Sequence, residues 1–261
     1  MEGKKVTRAE LLTLLHKLAN APGEWLSVYL RPDSSGVHHA RLVHEAQLDP
    51  RLVEVAKLIE DEKIQRELER YRTGLALYYS SENVIAVVPP FVVAQDSVTV
   101  GAPLVQPLRT ILEHPGRTLL VLVTWGAYVV ALYDGESLIR YKKGTGHIHP
   151  PHKKGGSSQA RFARRTENQR SEFLRRVGGH IDEQLGQERV DHIFFGGNRL
   201  VITPLSQESR FLRDHAALLS PRTILVKRAS LDTREGALMD AYSSMVFRAR
   251  PLHSPAHPAE G

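Results

Sequence analysis

The chain has 261 residues, 41% hydrophobic and 25% charged, with a formal net charge of +6, and these proportions fit a globular protein of one large or two modest domains. It contains no cysteine, which excludes disulfides, a thiol nucleophile and a cysteine-ligated zinc site and suits a reducing compartment. No apolar run approaches the roughly 18 residues of a membrane-spanning helix, and the N-terminus lacks the apolar core of a signal peptide, so we expect a cytoplasmic protein without a membrane partner.

The first part of the chain, residues 1–100, is predicted to form an N-terminal α/β module. Thr7 and Glu10 are spaced as a capping box, in which the side chain of each residue bonds to the backbone amide of the other, before an apolar helix. Alternating β-rich stretches indicate strands, and a charged stretch with an apolar stripe indicates a long helix. The predicted elements are a helix over 11–18, a strand over 24–30, a helix over 50–72 and strands over 74–80 and 83–89.

The second part of the chain, residues 105–250, begins with three predicted strands. A buried strand over 117–125 precedes a hairpin whose turn is marked by Asp134–Gly135, a dipeptide that favours tight turns. The further predicted elements are a helix from 158, a strand over 190–197, a helix over 206–219, a strand over 222–228 and a helix over 233–248. This β-β-β-α-β-α-β-α order predicts an α/β fold with a mixed sheet of the RNase H-like kind. Residues 251–261 are predicted to form a disordered tail.

A basic, glycine-containing loop, residues 144–157, lies between the hairpin and the long helix. Residues 140–170 contain nine lysines and arginines and one acid, Glu167, and so carry +8; because the whole chain carries +6, the remaining residues sum to −2. The nine cations are Arg140, Lys142, Lys143, Lys153, Lys154, Arg161, Arg164, Arg165 and Arg170. A merely solvated face usually carries charges of both signs, so this cluster favours a polyanionic partner such as nucleic acid.

Two enzyme classes and a zinc site can be considered for this chain, and the sequence argues against each of them. A two-metal nuclease needs several carboxylates at strand ends, but the strand over 117–125 has none and Asp191 stands alone. His147, His149 and His152 could ligate zinc, but two prolines separate them and the nine cations oppose a bound metal ion. A Ser-His-Asp hydrolase lacks its G-x-S-x-G elbow. We therefore expect no metal and no cofactor.

The glycines of the loop suit the close approach of a phosphate or an ester. The stretches KKGTG and KKGGSS place backbone amides beside lysines, although neither matches the nucleotide-binding consensus. Gly155 and Gly156 carry no side chain that would obstruct this approach. Cations lie on both sides of the pair: Lys153, Lys154, Arg161, Arg164 and Arg165. A plain connector between hairpin and helix would explain the glycines but not the arginines.

The stretch KKGGSSQARFARRTENQRSEFLRRV, residues 153–177, resembles the loop and helix of the catalytic (Gly-Gly-Gln) domain of eukaryotic and archaeal class I peptide-chain release factors. That family carries Gly-Gly-Gln-Ser and then a long helix with Arg-Phe-Ala-Arg. The matching residues are Gly155, Gly156, Ser158, Arg161, Phe162, Ala163 and Arg164. The resemblance extends over residues 105–250. Ser157 replaces the family's glutamine, with Gln159 two positions later, which makes the chain most similar to the bacterial Vms-like release factor branch of ribosome-associated quality control.

The resemblance implies an enzyme that frees a stalled nascent chain from its tRNA without reading a stop codon. The implied partners are the large ribosomal subunit, peptidyl-tRNA and ribosomal RNA. The implied catalytic residues are Gly155, Gly156, Ser157 and Gln159. Within the family the amide after the glycines stabilises charge on the leaving oxygen, a role that would fall to Ser157, while Ser157 or Gln159 would position water or a ribose hydroxyl. The five cations flanking the loop would hold RNA phosphates.

The serine in place of glutamine leaves the reaction open. Hydrolysis of the peptidyl ester and cleavage of the tRNA near its 3′ end are both compatible with the loop. A non-catalytic ribosome- or tRNA-binding factor that kept the fold is the alternative. Surveillance relatives of the release factors lack the Gly-Gly loop, so its presence favours an enzyme. No stop-codon-recognition domain, ankyrin repeat or cysteine zinc finger is recognisable.

Overall fold

The computed structural model describes residues 1–32, 49–146, 158–186 and 188–251. The chain divides into two compact units. The first comprises residues 1–114 and the segment that begins at Tyr242, and the second comprises residues 115–241. The chain therefore leaves the first unit and later returns to it, and each unit is described separately.

The described ranges of the two units contain eleven strands and eight helices. The strands are β1 (Glu2–Val6), β2 (Trp25–Leu30), β3 (Leu75–Tyr79), β4 (Val84–Val88), β5 (Ser97–Gly101), β6 (Arg117–Thr124), β7 (Ala127–Asp134), β8 (Ser137–Thr145), β9 (His192–Gly197), β10 (Leu219–Ile224) and β11 (Ser244–Ala249). The helices are α1 (Arg8–Ala19), α2 (Arg51–Ile59), α3 (Glu62–Tyr71), α4 (Gln106–Glu113), α5 (Ser158–Leu185), α6 (Arg199–Glu208), α7 (Arg210–Asp214) and α8 (Leu231–Ala241), with a 3₁₀ turn at Ala216–Leu218.

The first unit is built on an antiparallel sheet with helices on both faces. Its strand order is β1-β11-β4-β3-β2-β5, and all neighbouring strands are antiparallel. Helices α1 and α4 pack on one face around Tyr29 and Tyr78. Helices α2 and α3 pack on the other face around Val28 and Leu77. The first unit is thus an α/β module, as predicted, with β1, β5 and α4 added to the predicted elements.

Two helix boundaries in the first unit follow from side-chain caps. The Thr7 hydroxyl accepts a hydrogen bond from the Glu10 amide and the Glu10 carboxylate accepts one from the Thr7 amide, so the predicted capping box is confirmed. The helix predicted over 50–72 is two helices. Asp61 interrupts it, because its carboxylate accepts a hydrogen bond from the Lys63 amide and caps α3.

The second unit contains the predicted mixed sheet, with strand order β10-β9-β6-β7-β8. Strands β6, β7 and β8 are antiparallel, and β9 and β10 run parallel to β6. The hairpin turn lies at Asp134–Gly135, as predicted. Helices α5, α6 and α7 cover one face and bury Phe173, Val177 and Leu205 against Val121. Three antiparallel strands extended by two parallel strands confirm the RNase H-like α/β fold class.

The strand directions bring the basic loop and three other connections to one end of this sheet. Strands β6, β8, β9 and β10 all run in the same direction, so they finish together at Thr124, Thr145, Gly197 and Ile224. We call this the loop end. The opposite end carries the Asp134–Gly135 turn and the starts of β6 and β9. The predicted loop leaves the sheet at the loop end, and its residues 147–157 lie outside the described ranges.

Three predicted elements of the second unit have other boundaries. The helix predicted over 206–219 is replaced by α6, α7 and the 3₁₀ turn. Strand β10 begins earlier than predicted and includes Pro221, which it tolerates because β10 lies at the edge of the sheet. The helix predicted over 233–248 ends at Ala241, where the buried guanidinium of Arg222 donates hydrogen bonds to the carbonyls of Asp240 and Ala241.

The observed units differ from the predicted domains 1–100 and 105–250 at two places, because α4 packs in the first unit and because β11 pairs with strands of that unit. Strand β11 follows α8 in the chain but pairs with β1 and β4 in the sheet of the first unit. The last elements of the chain are therefore divided between the two units. Of the predicted tail, residues 252–261 lie outside the described ranges.

Candidate functional site

Part of the predicted site lies on α5 and part lies outside the described ranges. The predicted residues outside these ranges are Lys153, Lys154, Gly155, Gly156 and Ser157. Gln159 belongs to the first turn of α5. The three predicted arginines, Arg161, Arg164 and Arg165, follow on the same helix. The structure thus places the three arginines that were predicted to bind RNA directly after the segment that contains the predicted catalytic loop.

Arg161, Arg164 and Arg165 form one exposed face of α5. Their spacing of three and four residues puts them on the same side of a helix, and all three side chains are exposed. Thr166, the next residue, is buried, and Phe173 is buried further along the helix. Within the described part of the chain, no carboxylate forms an ion pair with the three arginines. Their positive charge is therefore not compensated among the described residues, and RNA binding by these arginines stays a prediction.

The end of β8, from which the loop departs, is anchored on α5 and on the turn between β6 and β7. The Gly146 amide donates to the carbonyl of Gly126 over 2.9 Å, and the Arg176 guanidinium donates to the carbonyl of Thr145 over 3.0 Å. A Cβ atom at Gly146 would lie 2.5 Å from the Phe173 ring. Gly146 therefore has to be a glycine here, because the chain passes directly over a helix side chain.

A second group of side chains supports this anchor from within the sheet. The Tyr128 hydroxyl and His180 Nδ1 share a short hydrogen bond, and the Tyr128 ring meets the Phe173 ring edge to face at 6.1 Å. A Cβ atom at Gly144 would overlap the Tyr128 ring. Burial raises the pKa of Tyr128. Burial, followed by the positive charge of Lys142, lowers the pKa of His180. These shifts favour the uncharged forms of both side chains under the base of the loop.

Trp125 and Arg170 link α5 to the turn between β6 and β7. The Arg170 guanidinium lies over the Trp125 indole at 4.8 Å from the ring centre, a distance typical of a cation–π contact. Its nearest carboxylate, on Glu167, is 3.8 Å away. Arg170 belongs to the nine clustered cations of the sequence, but Trp125, Tyr128 and Arg176 were not among the predicted site residues. The glycines at positions 126, 144 and 146 are the sequence signal that marks this close packing.

Arg140 is one of the nine clustered cations, yet it belongs to the opposite end of the sheet. Its guanidinium contacts the Glu188 carboxylate and donates to the carbonyl of Gln184 over 2.9 Å. Arg117 contacts the same carboxylate at 2.7 Å. The positive charge of Arg140 is thus compensated by an acid that lies 48 positions further along the chain. The charge of +8 counted over residues 140–170 is therefore larger than the unpaired charge near the loop.

The described ranges contain no group of three or more histidine, cysteine, aspartate or glutamate residues that could hold a metal ion. The zinc candidates His147, His149 and His152 lie outside these ranges. No helix in the described part of the chain has the length and apolar character needed to cross a membrane.

The comparisons with known proteins agree with the resemblance seen in the loop and α5. The family model described as "Actinobacteria/chloroflexi VLRF1 release factor" matches residues 116–247. A curated relative, "Peptide chain release factor subunit 1" of Methanosphaera stadtmanae, is 35% identical over 79 residues, which make up 30% of this chain and 19% of that protein. The chain therefore spans less than a fifth of this relative's length.

Two similar solved structures are an "Archaeal protein" and the archaeal translation termination factor aRF1. The first has 15% sequence identity and a TM-score of 0.35, and the match covers 90% of this chain and 72% of the matched chain. The second has 16% sequence identity and a TM-score of 0.38, and the match covers 90% of this chain and 70% of the matched chain.

Proposed function

The chain belongs to the Actinobacteria/chloroflexi VLRF1 release factor family, and from this membership we propose that it frees stalled nascent chains from peptidyl-tRNA on the large ribosomal subunit. The observation that carries the proposal is the family match over 116–247, which includes Gly155, Gly156 and the arginine face of α5. The proposal places the protein in the cytoplasm, in ribosome-associated quality control.

The glycine loop is proposed to act at the ester bond between the nascent chain and the tRNA. Gly155 and Gly156 would admit the backbone to the reacting atoms, and the Ser157 amide would donate to the oxygen on which negative charge develops. Ser157 or Gln159 would orient the attacking water. Water would add to the ester carbonyl, the bond to the ribose oxygen would break, and that oxygen would leave with a proton.

The cations are proposed to position the RNA rather than to take part in the reaction. Arg161, Arg164 and Arg165 are exposed on one face of α5, and Lys153 and Lys154 precede the glycines in the sequence. Phosphate contacts of this kind fix orientation without reading the base sequence. They suit a factor that must act on any stalled peptidyl-tRNA.

A second reaction is left open by Ser157, which stands where the class I release factors have glutamine. The loop would then orient a ribose 2′-hydroxyl near the tRNA 3′ end toward the adjacent phosphorus, and the 5′-oxygen would leave. The cations would stabilise the charge on the phosphorus centre. A non-catalytic ribosome- or tRNA-binding factor with this fold is the remaining alternative, and it is supported by the same exposed arginines.

The test follows peptide and tRNA separately when purified protein is added to stalled 50S–peptidyl-tRNA complexes. Released peptide with intact tRNA supports ester hydrolysis, whereas a shortened tRNA supports cleavage of the RNA. We expect Gly156→Ala to lower the release rate by about 10²–10³-fold with binding retained, because a Cβ obstructs the approach of the amide. Full activity of this variant contradicts the loop mechanism, and binding without release by the unaltered protein contradicts both enzyme reactions.

Gly179→Ala is the matched control for this substitution. Gly179 is an exposed glycine on α5, and a Cβ atom there meets no other atom within 4 Å. The exchange of residue types is the same, but Gly179 belongs to α5 and not to the predicted loop. We expect unchanged release. A loss equal to that of Gly156→Ala would assign the effect to α5 in general.

A further inference from the structure

Three exposed cations lie at the loop end of the second unit's sheet, on connections other than the glycine loop. Arg199 follows β9, and Lys227 and Arg228 follow β10. All three side chains are exposed. They lie outside the basic segment 140–170, so the charge count in the sequence did not include them. Because the four parallel strands finish at the same end, these cations share that end with the start of the basic loop.

Backbone contacts hold these connections against the end of β6. The Asn198 amide donates to the carbonyl of Val123 over 3.0 Å, which fixes the segment that leads into Arg199. The amide of Ala229, a buried residue, donates to the Thr124 hydroxyl over 3.2 Å, which fixes the segment that contains Lys227 and Arg228. The cations are therefore presented by connections tied to the sheet.

Two leucines lie beside these cations and are among the most exposed apolar side chains in the described ranges. Leu200 is 78% exposed and adjoins Arg199, and Leu225 is 88% exposed and precedes Lys227. Neither leucine contributes to the core clusters of its unit. An exposed apolar side chain next to a cation can pack against the ribose or the base while the cation contacts the phosphate.

The connections at the loop end carry positive charge without acids of their own. The segments 125–126, 198–200 and 225–230 contain Arg199, Lys227 and Arg228 and no aspartate or glutamate. Among the described residues, these three cations form no ion pair with a carboxylate. At the opposite end, by contrast, Glu188 alone compensates Arg117 and Arg140. Arg199, Lys227 and Arg228 are thus without a carboxylate partner among the described residues, and the acid that next follows Arg228 along the chain, Asp232, lies in the first turn of α8.

We propose that Arg199, Lys227 and Arg228, with Leu200 and Leu225, form a second RNA-contacting surface that binds the phosphodiester backbone of ribosomal RNA while the glycine loop is engaged. The inference rests on the proposed ribosomal function, because it takes large-subunit RNA as the polyanion. It favours RNA over an acidic protein because the same end of the sheet leads into the arginine face of α5. The two surfaces together would hold the RNA at several points around the loop.

The test measures the equilibrium binding of full-chain variants to purified 50S subunits and to protein-free large-subunit RNA. The first variant is Arg199→Gln, Lys227→Gln, Arg228→Gln. Each lost phosphate contact lowers the slope of log affinity against log salt by about 0.7–0.9, so we expect the slope to fall by about 2–3. A Leu200→Ala, Leu225→Ala variant is expected to bind about fivefold more weakly with an unchanged slope.

The matched control is Arg175→Gln, Arg189→Gln, Arg210→Gln. It removes the same number of charges, but each arginine already has a carboxylate partner, the partners being Glu208, Asp191 and Asp214. We expect its slope to change by less than about 1. Both triple variants should show the thermal unfolding midpoint of the unaltered protein, because the substituted side chains are exposed.

Equal slopes for the two triple variants, or an unchanged slope in the first, would overturn the inference. Weaker binding of the first variant to 50S subunits but not to protein-free RNA would also overturn it and would assign the surface to a ribosomal protein. These results are independent of the release assay. If Gly156→Ala abolishes release while the salt slope of the triple variant is unchanged, only the second surface is wrong. If release fails but the slope changes, the surface stands and the proposed activity is wrong.

Discussion

At the opposite end of the second unit's sheet, described arginines meet carboxylates: Glu188 contacts both Arg117 and Arg140, and Asp191 lies 3.4 Å from Arg189. At the loop end, Arg199, Lys227 and Arg228 of the connections and Arg161, Arg164 and Arg165 of α5 have no such partner among the described residues, whereas Arg170 lies 3.8 Å from Glu167. The same strands run between both ends, so the sheet itself does not cause the difference. The difference arises from the connections between the strands. At the opposite end arginines pair with carboxylates of the same unit, and at the loop end Arg199, Lys227 and Arg228 remain for an anionic partner.

The two ends also differ in what an added Cβ atom would meet. At the loop end a Cβ atom at Gly197 would overlap the carbonyl oxygen of Val123, and a Cβ at Gly146 would overlap the Phe173 ring. At the opposite end Gly135 has open space around it, and a Cβ at Gly116 would meet the side-chain carboxylate of Asp191. The loop end therefore combines rigid support with free charge. This is the combination that a catalytic loop requires if its ends are to be held while its residues reach a ligand.

The largest effect in this comparison is expected for Gly197→Ala. Gly197 has a φ of +107°, which other residues rarely adopt, and its added Cβ meets backbone that cannot move aside. We expect a loss of about 3 kcal/mol in the free energy of unfolding, measured by denaturant titration. Gly135→Ala, at the opposite end, should cost only about 1 kcal/mol, because its φ of +56° is unfavourable but its surroundings are open. Equal losses would show that the two ends are packed alike.

A smaller effect is expected when the carboxylate of the opposite end is removed. Glu188→Gln leaves Arg117 and Arg140 close together without their shared anion. We expect the unfolding free energy to fall by about 1 kcal/mol, since the pair is partly exposed and screened by solvent. Glu172→Gln is the control, because Glu172 is exposed on α5 and has no ion pair among the described residues; its effect should stay within about 0.5 kcal/mol. A loss in the control as large as that in Glu188→Gln would contradict the compensating role.

The smallest effect is expected in the pH dependence of stability near the loop. Burial and the charge of Lys142 lower the pKa of His180 in the folded protein, below the value of about 6.5 for an unfolded chain. Below about pH 6.5 the unfolded state then binds more protons, so this contribution to stability is complete above that value and is lost as the pH falls below it, through the lower pKa of the folded protein. Between about pH 7.5 and about pH 5.5, the thermal unfolding midpoint of the His180→Gln variant should therefore fall by less than that of the unaltered protein.

Part of this pH dependence should remain in the variant. Burial also lowers the pKa of His192, at the opposite end, where Asp191 acts against the shift. The residual slope of His180→Gln includes the contribution of this second histidine. A variant with the same pH dependence as the unaltered protein would mean that the environment of His180 does not disfavour its charged form.

Local patterns in the sequence were sufficient for much of the second unit. The buried strand, the hairpin at Asp134–Gly135 and the long helix with its apolar stripe are each set by neighbouring residues, and all three are found. The order of elements then leaves few ways to close the sheet, which is why the RNase H-like class could be predicted. The exposed face formed by Arg161, Arg164 and Arg165 follows from helical spacing alone.

Local patterns failed where a distant partner decided the outcome. The sequence predicts one helix over 233–248, but α8 ends at Ala241, where Arg222 donates to the last carbonyls, and β11 pairs with β1 and β4. The 50–72 helix was interrupted in a similar way by a cap at Asp61. Tertiary pairing overrides helical propensity when a strand can complete a sheet, because propensity differences between residues are small.

The sequence by itself determined that a glycine pair is followed by an arginine-bearing helix within a β-β-β-α-β-α-β-α unit, because composition, spacing and periodicity are properties of neighbouring residues. Only the tertiary structure decided which cations are free. Arg140 is adjacent to the loop in sequence but is paired with Glu188, whereas Arg199, Lys227 and Arg228 are distant in sequence and share the loop end. The physical reason is that charge compensation depends on distance in space, and strand direction, rather than position in the chain, brings these residues together.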